Sequence, residues 1–386
     1  MSPFIFNTTP SIHYGDSLAS RLGELAGKLL GARVLFVTDA GLRKLGLCDA
    51  AVNSLEQAGA SVSIFDAVEA DPSLATLQKA VETAMSMQAS GIAGFGGGSS
   101  MDVAKLVALL AGSGEELDEA WGVGNAKGPR LPLVLVPTTA GTGSEVTPVS
   151  IITVSGDEKR GVSSPVILPD MAVLDPTLTI GLPSPITAAT GIDAMVHAIE
   201  AYASKNANNN PMSRLLAVEA LRLLGANIET AVRSGADTQA RGAMLTGSML
   251  AGMAFANSPV AAVHALAYPV GGMFHVPHGL SNALVLPHVL RFNAPEAHRL
   301  YSELAPHAFP DIDVSQSSQG ICASFIERLA DLSASLGLQT RLRDVGVSES
   351  DLPVMAREAM KQTRLLVNNP RDVGEADALA IYKAAW

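Results

Sequence analysis

Cysteine is nearly missing from the 386-residue chain. Cys48 and Cys322 are too few for a disulfide framework, so a reducing compartment is expected. Aromatic residues are scarce, at 4%, and charged residues reach only 16%. No basic run occurs: 26 Lys+Arg stand against 37 Asp+Glu, a formal charge of −11, with an isoelectric point near 5.2. Such a chain has no patch that neutralises phosphates, which argues against nucleic acid as a partner. No apolar run reaches the roughly 18 residues that a membrane span needs. Met1-Ser2-Pro3-Phe4-Ile5-Phe6 lacks the basic n-region of a signal peptide. The expectation is a cytoplasmic protein with neither a nucleic-acid nor a membrane partner. What the chain has is apolar mass, at 48% hydrophobic residues, enough for a large core over a length that predicts two domains.

The first half alternates between two textures. Arg33–Thr38, Ser61–Phe65, Gly91–Phe95 and Leu133–Pro137 are short runs rich in β-branched and apolar residues and bounded by turn residues, the pattern of buried strands. Between the first three lie helical stretches at about Leu42–Ala58 and Ser73–Gln88. Strands alternating with helices predict right-handed βαβ units and a parallel sheet. After Pro183 the β-branched runs stop. Ala, Leu, Met and Glu dominate, with breaks at Asn208-Asn209-Asn210-Pro211 and Ser234-Gly235, and helices are expected at Ile321–Leu336 and Glu375–Ala385. The reading is an α/β domain over 1–183 and an all-helical domain over 184–386.

Two loops in the first part carry chemistry. Gly96-Gly97-Gly98-Ser99 follows a strand and opens a helix, so backbone N–H groups and the positive end of the helix dipole are available to an anion. Ser99 or Ser100 would cap that helix, with Asp102 in its first turn. A tight turn without a ligand is the competing account. Pro137–Thr147 also follows a strand and is dense in hydroxyls, with Thr138, Thr139 and Thr147 among them. Two such loops at the carboxyl ends of parallel strands would meet in the crevice where open α/β sheets bind nucleotides. Asp39 ends the first clear strand and would accept from an adenosine ribose. Its charge repels a 2′-phosphate and so favours NAD over NADP; a plain turn aspartate is the alternative.

In the second part the histidines cluster, five of the eight lying between 264 and 298. Asp193 and His197 stand at i, i+4, on one face of a helix. With His264 and His278 they would offer one carboxylate and three imidazoles, a set suited to Fe(II) or Zn(II), or to Ni and Co. A hydrogen-bonded Asp–His pair and satisfied core histidines are the alternatives.

These motifs, in the order Gly96-Gly97-Gly98-Ser99 with Asp102 and Lys105, Pro137–Thr147, Thr190-Gly191-Ile192-Asp193-Ala194 with His197, then Pro277-His278-Gly279, resemble the iron-containing (group III) alcohol dehydrogenases over essentially the full length. The ending, Asn369-Pro370-Arg371 before a last helix, is similar too. The resemblance implies a dinucleotide-binding α/β domain followed by a helical metal-binding domain, the architecture shared with dehydroquinate synthase, with the active site in the cleft between them. It implies metal ligands at Asp193, His197, His264 and His278, holding Fe(II) or in some members Zn(II). It carries cofactor contacts onto Asp39, Gly97, Gly98, Ser99, Thr138, Thr139, Thr147, Lys159, Leu178 and Gly181. A homodimer or larger assembly is implied as well.

The chain departs from the family pattern at one position. Many members have a further histidine four residues after the third ligand, where this chain has Tyr268. A phenol hydrogen-bonds and relays a proton but is a poor base at neutral pH, which leaves His275 as a second candidate relay. The expected activity is NAD(H)-dependent interconversion of an alcohol with an aldehyde or ketone, the metal polarising the substrate oxygen. The alternatives are a polyol, hydroxy-acid or maleylacetate-type substrate, which a carboxylate-binding Arg would favour, a dehydroquinate synthase-like lyase, and a metal- and nucleotide-binding protein without turnover.

Overall fold

Nine strands order the first part of the chain in the computed structural model, which describes residues 3–155 and 158–386: β1 (Ser11–Tyr14), β2 (Arg33–Val37), β3 (Ser61–Phe65), β4 (Gly91–Gly96), β5 (Gly122–Val123), β6 (Leu133–Pro137), β7 (Val149–Ser155), β8 (Glu158–Ser163) and β9 (Met171–Leu174). Six of them form a sheet in the order β1-β9-β6-β4-β2-β3, with every neighbouring pair parallel. Alternate residues feed two cores, as period-2 geometry requires. Leu35, Val37, Ile92, Leu133 and Leu135 face the helices Leu74–Ser86 and Gly98–Ser113. Val34, Phe36, Ala93, Phe95, Val134 and Val136 face Leu22–Leu30 and Asp49–Gln57. Burial on both sides is why β4 and β6 read as unbroken apolar runs.

Three expectations are corrected. The single helix expected over 42–58 is two, Ala40–Lys44 and Asp49–Gln57, parted where Gly46 takes a φ of 68°. Neither Ser99 nor Ser100 caps the helix after the glycines, because both lie inside it, and Asp102 falls beyond its first turn. Its N-cap is Gly97, with no side-chain bond. A second sheet, β5-β8-β7, has no counterpart in the sequence reading: β8 is Glu-Lys-Arg-Gly-Val-Ser, half exposed, and its polarity resembles a loop.

The chain divides into two compact units. One holds Asn7–Thr139 and Gly143–Ile180; the other holds the N-terminal residues up to Phe6, Ala140–Thr142 and Gly181–Trp386. The second unit is helical, built on Ser184–Ala203, Pro211–Arg233, Thr238–Asn257, Ala262–Phe274, His278–Ala308 and Ser318–Ser335, with Glu375–Ala385 near its end. Asn210 breaks the first two of these helices apart. Its side chain accepts from the N–H groups of Met212 and Ser213 while Ser213 accepts from its own N–H, and Pro211 takes the first helical position. Helix Ser184–Ala203 is apolar nearly all round and buried nearly all round, so a polar residue inside it needs a partner. Among the described residues no single helix is long and apolar enough to cross a membrane.

Candidate active site

Three helices bring one carboxylate and three imidazoles together. Asp193 and His197 sit one turn apart on Ser184–Ala203, His264 opens Ala262–Phe274, and His278 opens His278–Ala308. Asp193 Oδ1 lies 3.8 Å from His264 Nε2, 3.7 Å from His278 Nε2 and 4.0 Å from His197 Nε2. The donor atoms of Asp193, His264 and His278 all fall within 4.8 Å of one another. His197 stacks on His264 at 4.7 Å between ring centroids and on Phe255 at 4.4 Å. Asp193, His197 and His264 are all buried, at 2–5% exposure.

Each buried ring is oriented from behind. Nδ1 of His264 bonds Glu200 Oε2 at 2.6 Å, and Nδ1 of His197 bonds the Gly141 carbonyl at 3.2 Å. Both partners are acceptors, so each Nδ1 carries the proton and each Nε2 turns a lone pair toward Asp193. Burial drives the His197 imidazole down to about 3 and keeps it neutral, against the pull of Asp193. Burial alone would raise the Asp193 carboxyl, but the charge that the surrounding histidines carry when protonated and an N–H from Asn282 outweigh it, and the net shift is downward. Asn282 Nδ2 donates to Asp193 Oδ1 at 2.6 Å.

In the α/β unit, chain order reverses between β2 and β4, the switch point outside whose strand ends ligands bind in such sheets. Asp39 follows β2 and Gly97, Gly98 and Ser99 follow β4. Helix Gly98–Ser113 starts here without a side-chain cap, leaving its first N–H groups to an anion. Thr138 follows β6 and its N–H bonds the Gly96 carbonyl at 2.9 Å, while a side chain at Gly97 would touch Thr139. The glycine loop and the hydroxyl loop are thus adjacent.

Other residues have partners of their own. Asp39 Oδ1 caps helix Ala40–Lys44 through the Leu42 N–H at 2.9 Å. Lys159 pairs with Asp71 at 2.5 Å. Leu178 is buried in a short helical turn, and Gly181 belongs to the helical unit. Thr147 is buried, its hydroxyl accepting from Lys105 Nζ at 3.2 Å. His275 ends helix Ala262–Phe274 in the left-handed conformation with an exposed side chain that makes no hydrogen bond or ring contact among the described residues. Tyr268 is nearer the histidines, its ring centroid 6.2 Å from that of His278.

Residues 9–176 match the model of the iron-containing alcohol dehydrogenases and residues 187–386 that of the Fe-containing alcohol dehydrogenase family, C-terminal. The chain belongs to the iron-containing alcohol dehydrogenase family. It is therefore an oxidoreductase of alcohols and aldehydes. It is 41% identical to long-chain-alcohol dehydrogenase 1 of Geobacillus thermodenitrificans over 98% of this chain and 95% of that one. The crystal structure of a 1,3-propanediol oxidoreductase superposes with a TM-score of 0.95 at 37% identity, covering 100% of both chains. A sulfoacetaldehyde reductase from Bifidobacterium kashiwanohense in complex with NAD+ superposes at 0.87 and 26% identity, over 100% of this chain and 99% of that one.

The donor set fits the iron of the family name on this chain's own geometry. Ligand atoms about 2.0–2.2 Å from a tetrahedral ion lie roughly 3.3–3.6 Å from one another, and the three Nε2 atoms stand 3.7–4.0 Å from Asp193 Oδ1, slightly wider than that. Nε2 of His264 is buried with no hydrogen-bond partner, the sign of a lone pair held for something else. Three buried polar residues escape the sequence reading, two in the helical unit and one in the α/β unit. Glu200 would have been found as the third polar residue on one face of the helix, seven after Asp193. Asn282 carries no signal beyond its place four residues after His278. Lys105, noted only as part of a motif, is fully buried, with Nζ donating to Ser144 Oγ at 2.7 Å and the Val149 carbonyl at 2.7 Å.

Proposed function

We propose that the protein is an NAD(H)- and metal-dependent alcohol dehydrogenase with Asp193, His197, His264 and His278 as the ligands of Fe(II) or Zn(II). The buried, partnerless Nε2 of His264 carries this reading. When bound, the metal supplies a Lewis acid for the substrate oxygen and the nicotinamide supplies or accepts the hydride. The chain's residues do the rest. Asp193 provides the single negative charge among the ligands, so the site keeps net positive charge for an alkoxide. Glu200 and Gly141 hold two of the imidazoles in the tautomer that offers Nε2. Gly97, Gly98 and Ser99 bind the pyrophosphate at the helix N-terminus, with Thr138, Thr139, Thr147, Lys159, Leu178 and Gly181 along the nucleotide. The free oxygen of Asp39 meets the ribose. The Tyr268 hydroxyl hydrogen-bonds the reacting oxygen, and exposed His275 exchanges the proton with solvent.

A cytoplasmic homo-oligomer is part of the same reading. It is supported by β1, an edge strand with Ile12 and Tyr14 exposed, since an unpaired strand edge with apolar residues favours association with a second copy. The test is metal analysis of protein purified without oxygen, paired with NADH oxidation against short aldehydes. About one Fe or Zn per chain is expected, with both the metal and turnover lost in His264→Ala. Full activity in metal-free protein would overturn the ligand set.

A further inference from the structure

Arg364 stands beside the candidate active site with charge to spare. It lies on the short helix Thr363–Leu366, and Nη2 donates to the Tyr268 hydroxyl at 3.1 Å. Tyr268 in turn is the ring next to His278. The backbone below is fixed: Asn368, buried, donates to the carbonyls of both Arg364 and Val260. The guanidinium itself is exposed, and among the described residues no carboxylate pairs with it. Its Nε and Nη1 donors therefore remain for a ligand. A planar fork of N–H donors matches the oxygens of a carboxylate, a sulfonate or a phosphate.

We infer that Arg364 selects substrates carrying an oxyacid anion a short carbon chain away from the reacting carbonyl or alcohol. The inference rests on the dehydrogenase reading above and narrows its substrate class. The Tyr268 phenol suits this arrangement better than an imidazole, because it accepts from the guanidinium without adding positive charge and keeps its own hydrogen to donate. A neutral aldehyde of the same length leaves the guanidinium to water and gains nothing from it.

The test compares 4-oxobutanoate with butanal, matched in chain length, using metal-loaded protein and NADH. The wild type is expected to show the higher kcat/KM for 4-oxobutanoate. In Arg364→Met the ratio of the two kcat/KM values should fall roughly 10- to 100-fold, the worth of one charge-assisted hydrogen-bonded contact, chiefly through KM. Arg364→Lys should recover part of the ratio, and added salt should raise KM for the anion alone. A wild-type ratio below one, or a ratio unchanged by Arg364→Met, would overturn the inference. If neither aldehyde is reduced, the dehydrogenase reading fails instead, and calorimetric binding of succinate decides for the anion site: binding lost in Arg364→Met sustains it, no binding to the wild type ends it.

Discussion

At the scale of single residues, Glu200 shows how much depends on a side chain that would never touch substrate. Its two oxygens are both committed, one to the Val263 N–H at 2.7 Å and one to His264 Nδ1. A glutamine has a single acceptor oxygen, so Glu200→Gln must abandon either the helix start or the imidazole. Behind a metal-binding histidine such a change costs roughly 10- to 100-fold in metal affinity. Chelator competition with Fe(II)- or Zn(II)-loaded protein should show that loss, and an unchanged affinity would remove Glu200 from the site. The sequence shows Asp193, His197 and Glu200 on one helical face. The meaning of Glu200 needs His264, 64 positions on, and no local pattern supplies that distance.

At the scale of elements, the site depends on how closely two helices approach. The start of His278–Ala308 crosses Ser184–Ala203 with so little room that a Cβ on Gly279 would stand 2.4 Å from the Ala189 carbonyl oxygen and 2.7 Å from its carbon. Backbone atoms cannot rotate away, so Gly279→Ala must push the helices apart. The neighbouring His278 then moves relative to Asp193. Overpacking of this kind destabilises by about 1–3 kcal/mol. Urea unfolding should register that loss alongside weaker metal binding; a variant as stable and as metal-avid as the wild type would mean that the crossing is loose. The Pro277-His278-Gly279 motif was legible as a string, but its glycine acquires a reason only from the crossing. The same holds for strands. β6 could be bounded from sequence because a parallel strand buried on both faces is apolar throughout its length, and β3, on the sheet edge, because turn residues flank its short β-branched run. β8 carries Glu158, Lys159 and Arg160 on a half-exposed hairpin, and β1 and β9 are four residues each, too short for a pattern to stand out. The helix over 42–58 was misjudged because the helical spacing of its apolar residues continues across the break at Gly46.

At the scale of the whole molecule, with its charge of −11, the effect of pH on stability turns on a few buried groups rather than on the surface. Glu145 is 1% exposed and one of its carboxyl oxygens has no partner. Burial raises its carboxyl to about 7 from an ordinary 4.5, against its own backbone N–H and the charge of Lys105. Burial likewise lowers Lys105 to about 8, against Asp102 and Glu145. A carboxyl raised in the folded state lends stability that is complete below pH 4.5 and is lost as pH climbs through 7. A lysine lowered in the folded state does the reverse at the alkaline end: the unfolded chain holds more protons between about 8 and 10.5, so stability rises with pH there. The two groups together place their least favourable contribution between pH 7 and 8. Glu145→Gln removes the acid limb. Urea unfolding of the two metal-free proteins should show the stability of wild type relative to variant falling by about 3 kcal/mol between pH 4.5 and pH 8. A difference that stays constant over that range would mean that Glu145 keeps an ordinary carboxylate in the fold, with water reaching the oxygen that has no protein partner.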